Sequence, residues 1–454
     1  MLSVLLALLA TQDFKAGASA VDVTPPLGEP IVGGWSDPPA TEIHDRLYAR
    51  CLVLDDGTTR LAIVTVDNVG IGRDVLDAAR RQVTDETGLP GSHLLVSATH
   101  THSATYARKL RDGYPTTLAA RIAAGVKAAV GNLQPAKIGW GTAQAPEHLF
   151  NRRYVLKEGV RIPDPFGGED KVLMNPGVGN PDVVKPAGPV DPEVSFVSVR
   201  ARDGRPLALF ANYSLHYVGG VPGDHVSADY FAVFADVLQK LLGADRQDPP
   251  FVGAMSNGTS GDVNNVDVLG TREKRAPYEK MTLVATSLAE KVAAAEKSAE
   301  WKTSVALDAR LEELVLKTRR PSPDLVERAK GILARPKDVK PAHSKEVAYA
   351  ERTLKLADAP DEVSVPIQAL RIGDLGIAAI PFEVFTDIGL EIKKRTAFPR
   401  TFTISLANGS YGYLPTPEHH ALGGYETWLG TSKVEVRASV KITEKALDLL
   451  QRMK

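Results

Sequence analysis

The first half of the sequence alternates short apolar runs, rich in β-branched residues, with segments of helical periodicity. Residues 46–67 predict two strands joined by a turn at Asp56-Gly57, and residues 72–88 and 116–132 predict helices. Such alternation is typical of sheets that are covered by helices, because each apolar face must be buried against another layer. We therefore predict an α/β fold with mixed β-sheets flanked by helices.

The domain organisation follows from the lack of internal repeats and of a dividing linker, so residues 14–454 are expected to form a single α/β domain. Residues 151–190, rich in Pro, Gly and Asp, predict a long loop, and residues 320–357 predict a helical insertion or a lid. Residues 1–13 include the apolar run MLSVLLALLA, which is typical of a signal peptide. We therefore expect a secreted or periplasmic protein, with a misassigned start codon as the alternative.

Composition excludes several classes of function. The 454 residues carry a formal net charge of −1 with lysine and arginine spread along the chain, so a nucleic acid is not an expected partner. The single cysteine, Cys51, excludes an intramolecular disulfide, a CxxC redox pair and a metal site built from several thiolates. No apolar segment is long enough to predict a transmembrane helix. These limits leave a small-molecule substrate open.

Two histidines follow a predicted strand in the run SATHTHSA, as His100 and His102. Residues two apart in an extended chain point to the same side, so these imidazoles could share a cation or divide the roles of ligand and acid–base. A His-x-His pair alone is more often incidental than metal-binding. His216 also ends an apolar run, and Glu383 follows another, where a buried carboxylate needs a partner such as a cation.

Two neutral imidazoles and a carboxylate together suit zinc, with an open position left for water or substrate. The Gly- and Pro-rich segment 408–426 adds Tyr411, Tyr413 and Tyr425, whose phenols could reach the same site or could simply pack with exposed hydroxyls. The sequence therefore predicts a zinc site assembled from the ends of several strands.

Other polar residues compete for roles at this site. His225, His419 and His420 are alternative ligands, but they fall in polar loops, where a solvated histidine is usual. Asp67, at the end of a predicted strand, is either a hydrogen-bond acceptor for a ligand histidine or a turn cap. Asp229 is either part of the site or the N-cap of the helix that follows it.

With its motifs taken in order, the sequence resembles the neutral/alkaline ceramidase family. The motifs are SATHTHS, NRR, SADY, GDV and NGSYGYLPTPE, and the resemblance extends roughly from Gly17 to Gly430. It implies a ceramidase-like catalytic domain of α/β fold that holds one zinc ion and hydrolyses the amide bond of N-acyl sphingoid bases. The immunoglobulin-like C-terminal domain of that family is not expected, because the sequence ends at Lys454.

Motif by motif, the resemblance implies zinc ligands at His100, His216, Glu383 and Tyr413. It also implies active-site residues that do not bind the metal at His102, Tyr425 and Arg152, the first arginine of NRR. Asn264 stands where the family has a serine after GDV. We expect its amide to orient substrate or water, because an amide cannot act as a nucleophile.

The expected function is that of a zinc-dependent hydrolase, which cleaves an N-acyl, ceramide-like amide bond through a metal-activated water. Two alternatives stay open. Because Asn264 replaces the serine, the protein could be a metal-binding homologue with a binding or structural role and impaired catalysis. It could also be a zinc hydrolase of a non-lipid substrate, such as a sugar or a peptidoglycan fragment.

Overall fold

The structure is a computed structural model that describes residues 13–272, 274–336 and 338–454. Within these residues the chain forms four layers in the order helices, large sheet, small sheet, helices. The helices span Arg73–Thr87, Tyr114–Gly131, Tyr230–Leu241, Glu279–Glu296, Pro323–Leu333, Glu346–Ala357, Thr386–Arg395, Pro417–Leu422 and Ala438–Gln451.

The large sheet is mixed, with a parallel pair at each edge and antiparallel pairs between them. In spatial order its strands are Val252–Asn257, Pro206–Tyr213, Glu193–Ala201, Gln134–Gln144, Lys15–Asp22, Tyr48–Asp55, Arg60–Val66 and Leu94–Ala98. Tyr48–Asp55 is buried at its six central positions, because helices cover one face of the sheet and the small sheet covers the other.

The small sheet packs on the large sheet through a shared apolar core that includes Leu52, Leu370 and Phe402. Its strands, in spatial order, are Leu307–Lys317, Glu362–Ile372, Leu375–Ala379 and Arg400–Ile404. Helix Ala438–Gln451 covers its outer face with Ile442 and Leu449. Both sheets are thus held between apolar layers, and polar side chains remain at the strand ends.

The predicted mixed α/β architecture is confirmed, including the end of the first helix, where Gly88 adopts a φ of 70° as the C-cap. The prediction of a long loop at 151–190 is wrong in part. This segment contains a three-stranded sheet in the order Val183–Pro186, Arg153–Leu156 and Leu173–Met174. Strands of two to four residues are too short to leave a periodic signal in the sequence.

The segment 320–357 contains two helices, Pro323–Leu333 and Glu346–Ala357, which pack together through Ala329, Ile332 and Ala350. Its role as a lid stays a prediction. Of the helices described, none combines the length and apolarity required to cross a bilayer. The predicted signal peptide falls almost entirely on residues 1–12, which lie outside the described residues.

Candidate metal centre

His100 turns inward two residues after strand Leu94–Ala98, in a left-handed backbone conformation with φ of 74°. This conformation is unfavourable for a residue with a Cβ, and such strain is concentrated at functional sites. Its backbone N–H donates to the Asn68 carbonyl at 2.9 Å. Its Nδ1 lies 2.6 Å from the Val69 carbonyl oxygen, which can only accept a hydrogen bond. The proton of a neutral His100 is therefore on Nδ1, and Nε2 presents a lone pair.

His216 lies just beyond strand Pro206–Tyr213 and repeats this arrangement. Its Nδ1 is 3.1 Å from the Ser260 carbonyl oxygen, so its Nε2 also presents a lone pair. The Nε2 atoms of His100 and His216 are 3.0 Å apart. Two lone pairs at this distance repel each other and form no hydrogen bond, so the contact favours a cation shared by both imidazoles.

His102 completes a group of three imidazoles. Its Nε2 lies 3.2 Å from that of His100, and its ring stacks on Tyr217 with centroids 3.9 Å apart. One ring nitrogen from each of His100, His102 and His216 lies within 4.8 Å of the other two. Burial lowers the pKa values of His102 and His216 well below the usual histidine value, and the neighbouring His100 and Arg152 lower them further. Both rings are therefore neutral and able to bind a metal at pH 7.

Glu383 is brought to the imidazoles by a short parallel pairing of strands Glu383–Val384 and Tyr413–Leu414, in which Glu383 is opposite Tyr413. Its Oε2 lies 3.3 Å from Nε2 of His100 and 3.9 Å from Nε2 of His216. This oxygen is buried and forms no hydrogen bond within the described residues.

Electrostatics keep Glu383 ionised. Burial alone would raise the pKa of its carboxyl group, but nearby donors and positive charge, which include the Tyr413 hydroxyl and Arg152, lower it. The cluster thus contains a buried carboxylate oxygen without a hydrogen-bond partner and imidazole lone pairs directed toward one another. Such a donor set fits a divalent metal ion and is costly without one.

The remaining predicted site residues line this centre. Tyr413 and Tyr425 pack edge to face with ring centroids 5.8 Å apart, and the Arg152 guanidinium lies 5.3 Å from the Tyr413 ring centroid. Burial raises the pKa values of both tyrosines, so both phenols are protonated in the described protein. The structure therefore brings His100, His102, His216, Glu383, Tyr413, Tyr425 and Arg152 together, while their individual roles stay predictions.

Glu426, the residue that orients Arg152, was not identified from the sequence. Its Oε1 accepts from Nε of Arg152 at 2.8 Å, and its Oε2 accepts from Nη1 of Arg153 at 2.9 Å. Burial opposes ionisation of Glu426, but the two arginines outweigh it and lower its pKa. The signal was present in the string GGYE, because a glutamate next to a buried tyrosine needs cationic partners.

Two clefts open onto the centre. One, of about 530 Å³, is lined by Arg152, His216 and Asn264, and the other, of about 460 Å³, by Glu383 and Tyr425 among others. Asn264 lies in the first cleft with its Nδ2 donating to Oδ1 of Asn175 at 2.7 Å. Its amide is thus placed where it can contact a ligand.

The competing polar residues lie elsewhere. Asp67 accepts hydrogen bonds from Arg50 and from the Tyr48 backbone. Nδ1 of His100 and of His216 uses a main-chain carbonyl instead, so of the two predicted roles of Asp67 that of acceptor for a ligand histidine is wrong. Asp229 caps helix Tyr230–Leu241, as one of its two predicted roles required. His419 forms a separate group with Asp262 and Asp387, and His225 contacts Tyr278.

Comparison with known proteins gives structural relatives only. No protein-family model matches this sequence, and no curated protein does. The crystal structure of neutral ceramidase from Pseudomonas aeruginosa matches with a TM-score of 0.71 and 16% identity, covering 97% of this chain and 74% of that chain. A structure of a ceramidase complexed with C2 matches with a TM-score of 0.72 and 15% identity, covering 97% of this chain and 75% of that one. The chain therefore has the fold of neutral ceramidase.

Proposed function

We propose that the protein is a zinc-dependent hydrolase of the amide bond in N-acyl compounds. One observation carries the proposal: imidazole lone pairs and the unpartnered Oε2 of Glu383 converge at a point reached by two clefts. His100, His216 and Glu383 would hold the metal, with Tyr413 as a further oxygen ligand. The donor types and the lack of accessible thiolates favour zinc over softer or harder ions.

Zinc bound there would act as a Lewis acid and would lower the pKa of a coordinated water. The protein's own residues would then direct proton transfer. His102 is neutral, and the backbone of Gly33 and the ring of Tyr217 fix its orientation. It can accept a proton at Nε2 and return it to the departing amine, as general acid–base catalysis requires.

Arg152 and Tyr425 would stabilise negative charge that develops on the amide oxygen. Arg152 is held by Glu426 and by the Gly261 carbonyl at 2.8 Å, so little reorganisation is needed when charge develops. Removing one such donor typically costs a factor of about 10²–10³ in turnover. Asn264 would orient substrate from the wall of the first cleft.

The ceramidases that share this fold support an amide as the bond cleaved and an N-acyl, lipid-like compound as the starting point for substrates. Asn264 supports the alternative of a metal-binding protein with impaired catalysis, because its amide offers no nucleophilic oxygen. A zinc hydrolase of a non-lipid substrate is the other alternative, since polar residues such as Arg152 and Asn264 line the first cleft.

The test is hydrolysis of a panel of N-acyl amines and matching esters, before and after chelation and after zinc is restored. We expect amide cleavage that chelation abolishes and zinc restores, and a loss on the order of 10²-fold or more in His100→Ala. His44→Ala is the control, because His44 is exposed and outside the cluster. Stoichiometric zinc without cleavage of any substrate would favour the impaired homologue, and activity that survives chelation would refute the proposal.

A further inference from the structure

The cleft on the Glu383 side of the centre is basic. Four cationic side chains line it: Arg108, Arg352, Lys355 and Lys433. Glu383 is the one carboxylate among its described lining residues, and that group is directed at the imidazoles. The whole chain has 54 lysines and arginines against 55 aspartates and glutamates, so this local excess of positive charge is not a consequence of composition.

These four cations lack the carboxylate partners that many other basic residues of this protein have. Within residues 13–272, 274–336 and 338–454, none of them lies within ion-pair distance of a carboxylate. By contrast, Arg328 and Arg335 both pair with Glu346. These residues belong to the helical segment 320–357, which also carries Arg352 and Lys355. Unpaired like charges in a cleft repel one another and concentrate a positive potential there.

Arg352 is held in place by neutral groups. Its Nη1 donates to the Tyr349 hydroxyl at 3.1 Å and lies 3.3 Å from Oγ1 of Thr431. Its other guanidinium nitrogens make no hydrogen bond to the described chain, so they are free to bind a ligand. Gly430 leaves room for this side chain, because a Cβ there would lie 2.8 Å from Cβ of Arg352.

Lys355 and Lys433 line the same cleft as Arg352. Lys355 lies one helical turn beyond Arg352 on helix Glu346–Ala357, so both point from one face. Lys433 lines the same cleft from a separate segment of the chain. It is exposed, so its ammonium group is available to a ligand that enters the cleft.

We infer that this basic cleft binds an anionic oxygen group of the substrate, so that the substrate class is an acidic N-acyl compound. The inference rests on the proposed function and makes it more specific. Charge-assisted hydrogen bonds from a fixed guanidinium and two ammonium groups suit a carboxylate, sulfonate or phosphate. A neutral substrate would leave the four cations without an anionic partner.

The test compares three amides of equal chain length. The first is a neutral N-acyl ethanolamine, the second an N-acyl glycine with the charge on the amine part, and the third an ω-carboxyacyl ethanolamide with the charge on the acyl part. We expect kcat/KM to be at least about 10-fold higher for one of the acidic amides. Raising the salt concentration should reduce this preference, because ions screen exposed charges.

Variants assign the preference to the cleft. Lys355→Gln and Lys433→Gln should each reduce the ratio of acidic to neutral kcat/KM several-fold, and Arg352→Gln should do so most strongly. Lys330→Gln is the matched control, because Lys330 is exposed on the preceding helix and does not line the cleft. Lys355 makes no hydrogen bond or ion pair in the described chain, so its variant is expected to fold even if Arg352→Gln does not.

Binding to the chelated, metal-free protein separates this inference from the proposed function. Calorimetric titration with the three amides should show at least about 10-fold tighter binding of an acidic amide. Selective acidic binding by the metal-free protein, together with no hydrolysis by the zinc-restored protein, would refute the proposed function and keep the basic cleft. Hydrolysis with equal kcat/KM for all three amides, or a preference that the cleft variants do not change, would overturn the inference and keep the function.

Discussion

At the scale of single residues, main-chain carbonyls determine the protonation of the histidine pair that faces Glu383. The carbonyls of Val69 and Ser260 hold Nδ1 of His100 and His216, which leaves both Nε2 atoms as acceptors. A carboxylate oxygen with no hydrogen-bond partner lies within 4 Å of both. This arrangement of acceptors fits a cation.

Gly33 gives a residue-scale prediction about His102. Its φ is +123°, and a Cβ there would lie 2.7 Å from the His102 ring. Gly33→Ala should displace that ring and lower turnover by about 10²-fold, since misplacement by about 1 Å has that cost. Gly28→Ala is the matched control, because Gly28 also has a positive φ but no atom within 4 Å of its Cβ position. Equal turnover in the two variants would show that His102 is not needed where it lies.

Glu426 gives a second prediction at this scale. Glu426→Gln leaves the buried guanidinium groups of Arg152 and Arg153 without their anion, which should lower the free energy of unfolding by about 3–5 kcal/mol. Urea denaturation measures this. Glu444→Gln, which removes an exposed ion pair with Arg395, should leave the unfolding curve nearly unchanged. An effect of Glu426→Gln as small as that of the control would mean that Glu426 does not stabilise the two arginines.

At the scale of elements, strand ends and helix caps place the site residues. His100 follows one edge strand of the large sheet, His216 follows a strand near its other edge, and Glu383 follows the strand Leu375–Ala379 of the small sheet. The pattern of apolar runs identified these strand ends in the sequence. It did not identify the three-stranded sheet at 151–190, whose strands are too short for periodicity, and it could not predict which strand ends would be neighbours.

The cap of helix Tyr230–Leu241 gives a prediction at the element scale. Asp229 accepts from the backbone N–H groups of Val218, Gly219 and Tyr230, so it fixes the chain just after His216. Asp229→Ala should lower the free energy of unfolding by about 1–3 kcal/mol. It should also weaken zinc binding by about 10-fold or more, as measured by competition with a chelator.

The matched control is Ser322→Ala, which removes the N-cap of helix Pro323–Leu333. None of the described residues of this helix lines either cleft, so the change should cost about 1 kcal/mol of stability and leave zinc affinity unaltered. If both cap variants bind zinc as the parent does, Asp229 stabilises the fold without positioning His216.

At the scale of the whole molecule, the candidate metal centre joins the two sheets, because the large sheet supplies the imidazoles and the small sheet supplies the carboxylate. The sequence allowed His100, His216 and Glu383 to be selected, since each is a metal-binding residue type at a strand end. Glu426, Gly33 and the four cations of the basic cleft have no such local signal, because their contacts arise only when distant segments pack. At 16% identity the match with neutral ceramidase shows that the fold is shared.

Acid stability gives a prediction for the whole molecule. Burial lowers the pKa of His420 to about 3, with Arg319 and Arg153 adding to the effect. The unfolded chain therefore binds a proton at His420 near pH 6.5, whereas the folded protein does not. The contribution of the neutral imidazole to the free energy of unfolding is lost as pH falls from 6.5 toward 3. His420→Gln should reduce the loss of stability between pH 7 and pH 5 by about 2 kcal/mol, at about 1.4 kcal/mol for each pH unit below 6.5.

Urea denaturation of parent and variant at both pH values measures this difference. His44→Gln, at an exposed position, should keep the parental pH dependence. Parallel curves for His420→Gln and the parent would show that His420 does not remain neutral in the folded protein.

Zinc K-edge X-ray absorption of the zinc-loaded protein tests the central claim most directly. The account predicts about one equivalent of tightly bound zinc, with nitrogen and oxygen neighbours at about 2.0–2.1 Å and multiple scattering from at least two imidazoles. His216→Ala should remove most of that metal. Sulfur at about 2.3 Å, or zinc content that does not change in His216→Ala, would contradict a centre built on His100, His216 and Glu383.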